Sequence, residues 1–362
     1  MKEKSLYFQL ADRYVPQLVT STVELLNGKD GELPYLYQRM LRTVFSADGK
    51  WSSLVAKHTR VKADIVALDS ELPLKSRDSI ERLNGDIPKL GMKYYLNEKQ
   101  MKDVDNMLAN ASISERTIVE KIFEDVPHCV EGIYEELEDI FQSLLSSGIG
   151  LAHNNVGQGI RLDMGFYNEN KFGVLKVWSA ADADAIKDID KVFKKAKKDG
   201  NRITDIYVDD TWLDAFENNA AVRALYGFQM GYAGSTAVPT LDEEQAASVI
   251  RRKWKCELHL VDRRIISEAN GEREDFCAWA NGVASFVCSD VVGDLVWTTC
   301  AEMNPDRQVK GVTYQIANEF ILVSEYSTND PLREYTSSQA MVVPVLNNVN
   351  KIYLLNSTEV VA

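Results

Sequence analysis

The chain has 362 residues, 45% hydrophobic and 26% charged, with Lys+Arg 41 against Asp+Glu 54 for a formal net charge of −13. That length leaves room for two domains, or for one with large excursions, and the composition is that of a soluble globular protein. The acid excess excludes a tightly held nucleic-acid partner, which needs concentrated Lys and Arg, and no apolar run is long enough to span a bilayer.

The opening "MKEKSLYFQLADRYV" lacks a signal-peptide core, which predicts synthesis and retention in the cytoplasm. Cys129, Cys256, Cys277, Cys288 and Cys300 are an odd, scattered set in apolar surroundings, read as reduced, buried thiols.

In chain order, residues 1 to about 50 read as an extended arm with short helices. Their apolar groups are small and broken by Pro16, by "NGKDGELP" at Asn27–Pro34 and by "SADGK" at Ser46–Lys50. Such a segment needs another surface to lie on. From Thr59 to Asn97, "VKADIVALD" and "KLGMKYYLN" read as strands with "NGD" at Asn84–Asp86 as a turn signal. Two strands cannot bury a face by themselves, so this excursion also needs an outside partner.

Asn97 is a good N-cap for a helix over "NEKQMKDVDNMLANA", and a second helical stretch opens at Ser112, with Ser114 three residues before Thr117. Val119, Phe123, Val126, Val130, Ile133, Leu137, Ile140 and Leu144 alternate steps of four and three up to Gly148. The stripe predicts one continuous helix of about 50 Å, kinked at Pro127. Strands follow at Gly159–Tyr167 and Lys171–Trp178, joined by "NENK". A helix capped by Ser179 and stopped by Gly200 comes next, then a buried strand over Ile203–Asp210. Helices over "TWLDAFENNAAVRALYG" and Leu241–Lys255 lead to a run of strands through "KIYLL". The class is α+β, with one very long helix and mixed sheets and no internal repeat.

Few groups promise chemistry. The glycines of "SSGIGLAHNNVGQG" (Ser146–Gly159) invite a phosphate loop, but a helix precedes them, a strand follows, and no Lys-Ser/Thr pair is present. "GFQMGYAGS" (Gly227–Ser235) fails the same test. Cys256 and His259 have ligand-like spacing but lack the further ligands that zinc requires, and read as core residues. Acids in "DADAIKDID" (Asp182–Asp190) read as a solvated helix face with bases after them, matching the helix dipole. "RRKWK" (Arg251–Lys255) reads as dipole compensation or a contact with a neighbour's acids. The expectation is no catalytic residues, no cofactor and no metal.

The excursion at 59–97, the long helix ending at Gly148 and the C-terminal "EYSTNDPLREYTSSQAMVVPVLNNVNKIYLL" together resemble the lambda-type phage major capsid protein E family. The tail is the most specific part: a strand, a turn around Asp330-Pro331 with Arg333-Glu334 after it, then "MVVPVL" and a last strand. The resemblance implies the capsid fold of tailed phages and herpesviruses. Residues 1–58 would be an N-terminal arm, 59–98 an extended loop, 99–177 a peripheral domain with its spine helix, 178–317 an axial domain, and 318–362 the return to the peripheral domain. It implies self-assembly into pentamers and hexamers of an icosahedral head enclosing double-stranded DNA, with portal, scaffold, protease and decoration proteins as partners. The place is the virion, assembled in the host cytoplasm, with no membrane.

Arm and loop would then bury their apolar residues on adjacent subunits through head-to-tail contacts. Lys62, Lys75, Arg77, Arg82 and Lys89, interspersed with acids in the loop, and Asp330, Arg333 and Glu334 in the tail are the expected subunit-interface residues. No motif specifies a Lys–Asn cross-link between Lys75 or Lys89 and "LNNVN". An encapsulin-like compartment and a cytoplasmic nucleotide-binding enzyme using Gly148–Gly159 are the competing readings.

Overall fold

A computed structural model describes residues 6–29, 31, 33–56, 80–109, 114–152, 160–231, 240–269 and 271–361. In chain order the elements are α1 (Leu6–Leu26), α2 (Leu36–Met40), β1 (Leu41–Phe45), β2 (Lys50–Ala56), β3 (Ile80–Asp86), β4 (Lys89–Leu96), α3 (Glu98–Ala109), α4 (Glu115–Ile122) and α5 (Asp125–Ser147). Next come β5 (Ile149–Ala152), β6 (Ile160–Asp163), β7 (Lys171–Val174), α6 (Ala185–Lys198), β8 (Asp205–Val208), α7 (Asp210–Asn218), α8 (Ala220–Gln229), α9 (Glu243–Trp254) and β9 (Glu257–Leu260). The chain closes with β10 (Ile265–Ala269), β11 (Glu272–Phe276), β12 (Val283–Val287), β13 (Gly293–Thr298), β14 (Thr313–Ala317), β15 (Ile321–Asn329), β16 (Leu332–Leu346) and β17 (Tyr353–Val360).

Two compact units result. The first comprises residues 1–51, 85–138 and 294–344; the second comprises 52–84, 139–293 and 345–362. In the first, the strands run in the order β1-β13-β16-β15-β14, with β4 also paired to β16. The first five residues of β15, Ile321 to Glu325, are all buried, while β16 is buried at alternate positions from Thr336 to Ala340 and throughout from Val342 to Leu346. Part of α5 belongs to this unit, and its Val126, Cys129, Val130, Ile133, Tyr134 and Leu137 are 2% exposed or less. Gly132 lets β4 approach the helix closely, since a Cβ there would lie 2.1 Å from the Met92 sulfur.

Three expectations for this part of the chain are corrected. The arm is not an extended run of short helices: α1 is a single helix of 21 residues with Pro16 inside it. Its Ala11, Val15 and Val19 are 1% exposed or less within the chain's own fold, so its burial does not wait for a neighbour. Pro16 lacks the amide that would bond back toward Asp12, and Asp12 lies on the exposed side of the helix, away from its buried stripe. "NGD" is not a turn but the end of β3, where Gly85 leaves space for the buried Trp51 ring, 2.8 Å from where a Cβ would sit. The long helix is not continuous: the chain leaves helical geometry at Phe123 (φ −110°, ψ 22°) and restarts at Asp125. Pro127 therefore falls in the first turn of α5, where an amide has no intrahelical acceptor, and it helps start the helix. The strand "VKADIVALD" lies outside the described residues.

Other local expectations hold. The Ser114 hydroxyl accepts from the Thr117 amide at 3.2 Å, and the Asn97 side chain accepts from the Lys99 and Gln100 amides. Gly148 ends α5 at φ +80°, its amide donating to the Leu144 carbonyl at 2.8 Å.

The second unit has a sheet ordered β7-β17-β12-β8-β9, in which β12 is antiparallel to β8 and β17 while β8 and β9 are parallel. Helices α6 to α9 pack on it around Trp212, Phe216, Ile189, Val249 and Phe286. β6 pairs with β5, not with the segment after "NENK", and β7 joins β17 instead. Helix α6 starts at Ala185 with Asp184 as its cap, five residues later than a Ser179 cap would place it.

Candidate functional site

The conspicuous tail segment forms a hairpin. β15 and β16 pair from Ile321↔Ala340 to Asn329↔Leu332, leaving Asp330-Pro331, a cis peptide, as the two-residue loop. The Thr328 hydroxyl donates to the Pro331 carbonyl at 2.8 Å and ties the loop. β4 lies along β16 from Leu96↔Glu334 to Lys89↔Met341.

Strand alternation then sorts the residues onto two faces. On one lie Tyr94, Glu325, Glu334 and Thr336. The Thr336 hydroxyl donates to the buried Glu325 carboxylate at 2.9 Å, and the Cys129 thiol of α5 donates to the Thr336 carbonyl at 3.6 Å. Burial pushes the Cys129 thiol up to about 12, so it stays protonated. Glu334 is half-buried; burial first, and the Asp105 carboxylate second, raise its carboxyl to about 7.

The opposite face carries a row of aromatic rings. Tyr95, Tyr335 and Tyr326 occupy directly opposed positions on three adjacent strands. Tyr335 stacks on Tyr326 at 5.0 Å and meets Tyr95 at 5.9 Å between centroids. The Arg333 guanidinium lies 4.2 Å from the Tyr95 ring centre and the Lys93 ammonium 5.5 Å from that of Tyr335. Tyr95 is 46% exposed, so this cation–aromatic patch is a surface and not a core. Aromatic and Arg side chains of this kind are enriched at protein interfaces.

The expected interface residues are distributed accordingly. Asp330, Arg333 and Glu334 come together at one end of the hairpin, with Arg333 and Glu334 on opposite faces. Lys89 starts β4 at the far end of the same pairing, 3.8 Å from Glu302 of its own chain. Arg82 lies on β3, and Lys62, Lys75 and Arg77 lie outside the described residues. The tyrosine row was missed by sequence reading. Its signal was present, since Tyr326 and Tyr335 stand equally far from the Asp330-Pro331 loop and must therefore pair.

The competing chemistries fare differently. The glycine-rich stretch holds the end of α5 and all of β5, which pairs antiparallel with β6 after it, and among the described residues no helix starts there to receive a phosphate. Residues 153–159 of that stretch lie outside the described ones. Cys256 is buried, while His259 is an intermediate, surface-side residue bonded to Asp205 at 2.8 Å and stacked on Tyr207. No group of His, Cys, Asp and Glu suited to a metal ion occurs among the described residues. The acids of "DADAIKDID" are not all solvated: Asp188 is 3% exposed and accepts from Trp178 Nε1 at 3.1 Å. Asp190 takes Trp254 Nε1 at 2.8 Å and Lys253 at 3.1 Å, so part of "RRKWK" is satisfied within the chain. Cys277 is exposed and Cys288 half-exposed, against the expectation of uniformly buried thiols. No described helix is long and apolar enough to cross a membrane.

No protein-family model matches the chain, and no curated protein matches it in sequence. Solved structures do match. A protein assigned as the capsid protein of a prophage in E. coli CFT073 aligns over 94% of this chain and 98% of its own, at TM-score 0.58 and 9% identity. The cyanophage A-1(L) capsid subunit aligns over 89% and 92% (TM-score 0.49, 9% identity), and a phage-related protein of Bordetella bronchiseptica RB50 over 96% and 98% (TM-score 0.48, 11% identity). The comparison with the E. coli prophage protein shows the fold: this α+β chain shares the fold of that prophage capsid protein along nearly the whole of both chains.

Proposed function

We propose that the chain is the major capsid protein of a tailed double-stranded DNA phage, assembling with itself into an icosahedral head. The observation that carries this reading is the correspondence of fold along nearly the whole of both chains in the E. coli prophage comparison. Two features of this chain support it. The net charge of −13 suits a wall that must enclose DNA without adhering to it. The partly exposed Tyr95–Tyr335–Tyr326 row with Arg333 and Lys93 has the composition of a contact surface.

In this reading residues 1–58 serve as the arm, 59–98 as the extended loop, 99–177 and 318–362 as the peripheral domain and 178–317 as the axial domain. Copies meet as pentamers and hexamers, with portal, scaffold, protease and decoration proteins as further partners, in a virion assembled in the host cytoplasm. The subunit does no chemistry of its own. Purified chain imaged by electron microscopy and weighed by native mass spectrometry is expected to form closed shells. A chain that stays monomeric at high concentration would overturn the reading, and shells that co-purify with a protein cargo would favour an enzyme compartment instead.

A further inference from the structure

The second unit is electrically polarised. Its β8 and β9 are parallel and β12 antiparallel, so the amino ends of β8 and β9 share one end of the sheet with the close of β12 and the start of β17. Helix α6 finishes at that end, where Asn201 Nδ2 donates to the Tyr353 hydroxyl at 2.8 Å and that hydroxyl donates to Asp199 at 3.0 Å. Helix α9 finishes there too, Lys255 preceding Cys256 and the first residue of β9. Lys194, Lys197, Lys198, Arg202 and Lys255 are all exposed at this end, and none is ion-paired among the described residues.

The opposite end is acidic. There β8 runs into Asp209, whose carboxylate accepts the Gly282 amide at 2.9 Å just before β12. The β10–β11 hairpin leaves the sheet at this end, after β9, and returns to it before β12. Asp210 and Asp214 on α7, Glu243 on α9, and Glu272 and Glu274 on the hairpin are exposed, without a paired cation among the described residues. Crowding is evident at Glu217, whose carboxyl is raised by burial and then by Asp214, Asp242 and Glu243. The hairpin has only two strands and its Ile266 is 69% exposed, so it has no second layer of its own.

Helix dipoles account for acids at the first turns of α6 and α9 and bases at their last turns. They do not account for Arg202, which lies beyond α6, nor for Glu272 and Glu274, which lie on strands. Like charges gathered at each end repel in the isolated chain and are relieved by the opposite end of another.

We propose that the second unit binds a second copy of this chain head to tail, with the acidic end and its hairpin seated on the basic end of the next copy. The two ends are different surfaces, so the contact is heterologous and repeats around a ring. This inference rests on the shell-forming reading and specifies which surfaces meet.

The test uses full-length chain in three forms: K197E/K198E/R202E, E272K/E274K, and the combination of all five changes. Circular dichroism first establishes that each is folded; charge-neutral versions (Lys→Gln, Glu→Gln) replace any that is not. Sedimentation velocity and electron microscopy then measure assembly at about 50 mM salt, where exposed charges are weakly screened. Each single-ended variant is expected to lose about tenfold or more of the assembled fraction. The fully reversed chain is expected to regain it, because the two ends are again opposite in sign. Single-ended variants that form shells as well as the unaltered chain, or a full reversal that restores nothing, would overturn the inference alone. Failure of the unaltered chain to assemble would overturn the shell-forming reading beneath it.

Discussion

Glu334 carries a consequence that its neighbours dictate. Its carboxyl, raised from 4.5 to about 7 by burial and by Asp105 on α3, binds a proton in the folded chain that the unfolded chain has already released. Between about pH 4.5 and 7 the folded state holds more protons, so stability falls as pH rises through this window. Glu334→Gln removes the effect. The variant should melt higher than the unaltered chain at pH 8 and nearly the same at pH 4.5, with a difference of ~1 kcal/mol. That is well below the full conversion of 1.36 kcal/mol per pH unit, because the group is partly screened by solvent. Parallel melting curves for the two chains from pH 4.5 to 8 would refute the assignment. Gly132 is the other residue whose role is decided by one contact. Gly132→Ala puts a methyl into the Met92 sulfur and should cost ~1–3 kcal/mol by denaturant unfolding, with Met92→Ala in the same chain recovering part of it. Sequence marked Asp330, Arg333 and Glu334 but could not say that Arg333 faces rings and Glu334 faces a carboxylate. That follows only from which strand lies beside β16.

At the level of elements, helix ends were more legible than helix continuity. Asn97, Ser114, Gly148 and Gly200 act through groups within a few residues, so their signals survive in sequence. The break between α4 and α5 does not, because Val119, Phe123 and Val126 keep apolar spacing across it and all three are buried. Pro127 then reads as a kink when it is a first-turn residue. The two placements predict different outcomes. Pro127→Ala should change stability by less than ~1 kcal/mol, whereas Glu136→Pro, a full turn or more inside α5, should cost ~3 kcal/mol or more. A Pro127→Ala chain markedly stabilised in urea would mean that the proline does strain a continuous helix. The arm was misread for a related reason. Pro16 is a strong breaker in isolation, but α1 has an apolar stripe of Ala11, Val15 and Val19 whose burial outweighs one missing hydrogen bond.

For the whole molecule, the order of strands was the part that sequence could not supply. β16 pairs with β4, more than 200 residues earlier, and β17 with β7, and nothing local to either strand encodes such partners. The same long-range pairing governs how the chain should unfold. Neither compact unit is a continuous stretch, and α5 and β16 each contribute residues to both. Losing the second unit would turn residues 139–293 into a long loose loop between the segments of the first, and would cut α5 short after Glu138. Chain entropy therefore opposes a state with one unit folded and the other open. Calorimetry of the unassembled chain should give a single transition with equal calorimetric and van't Hoff enthalpies. Phe141→Ala, fully buried in the second unit, tests the coupling further. It should lower stability by ~3–5 kcal/mol and shift hydrogen-exchange protection of β15 and β16 along with that of α6 and α9. Two resolved transitions, or a loss of protection confined to α6 and α9, would show that the units fold independently despite the shared helix.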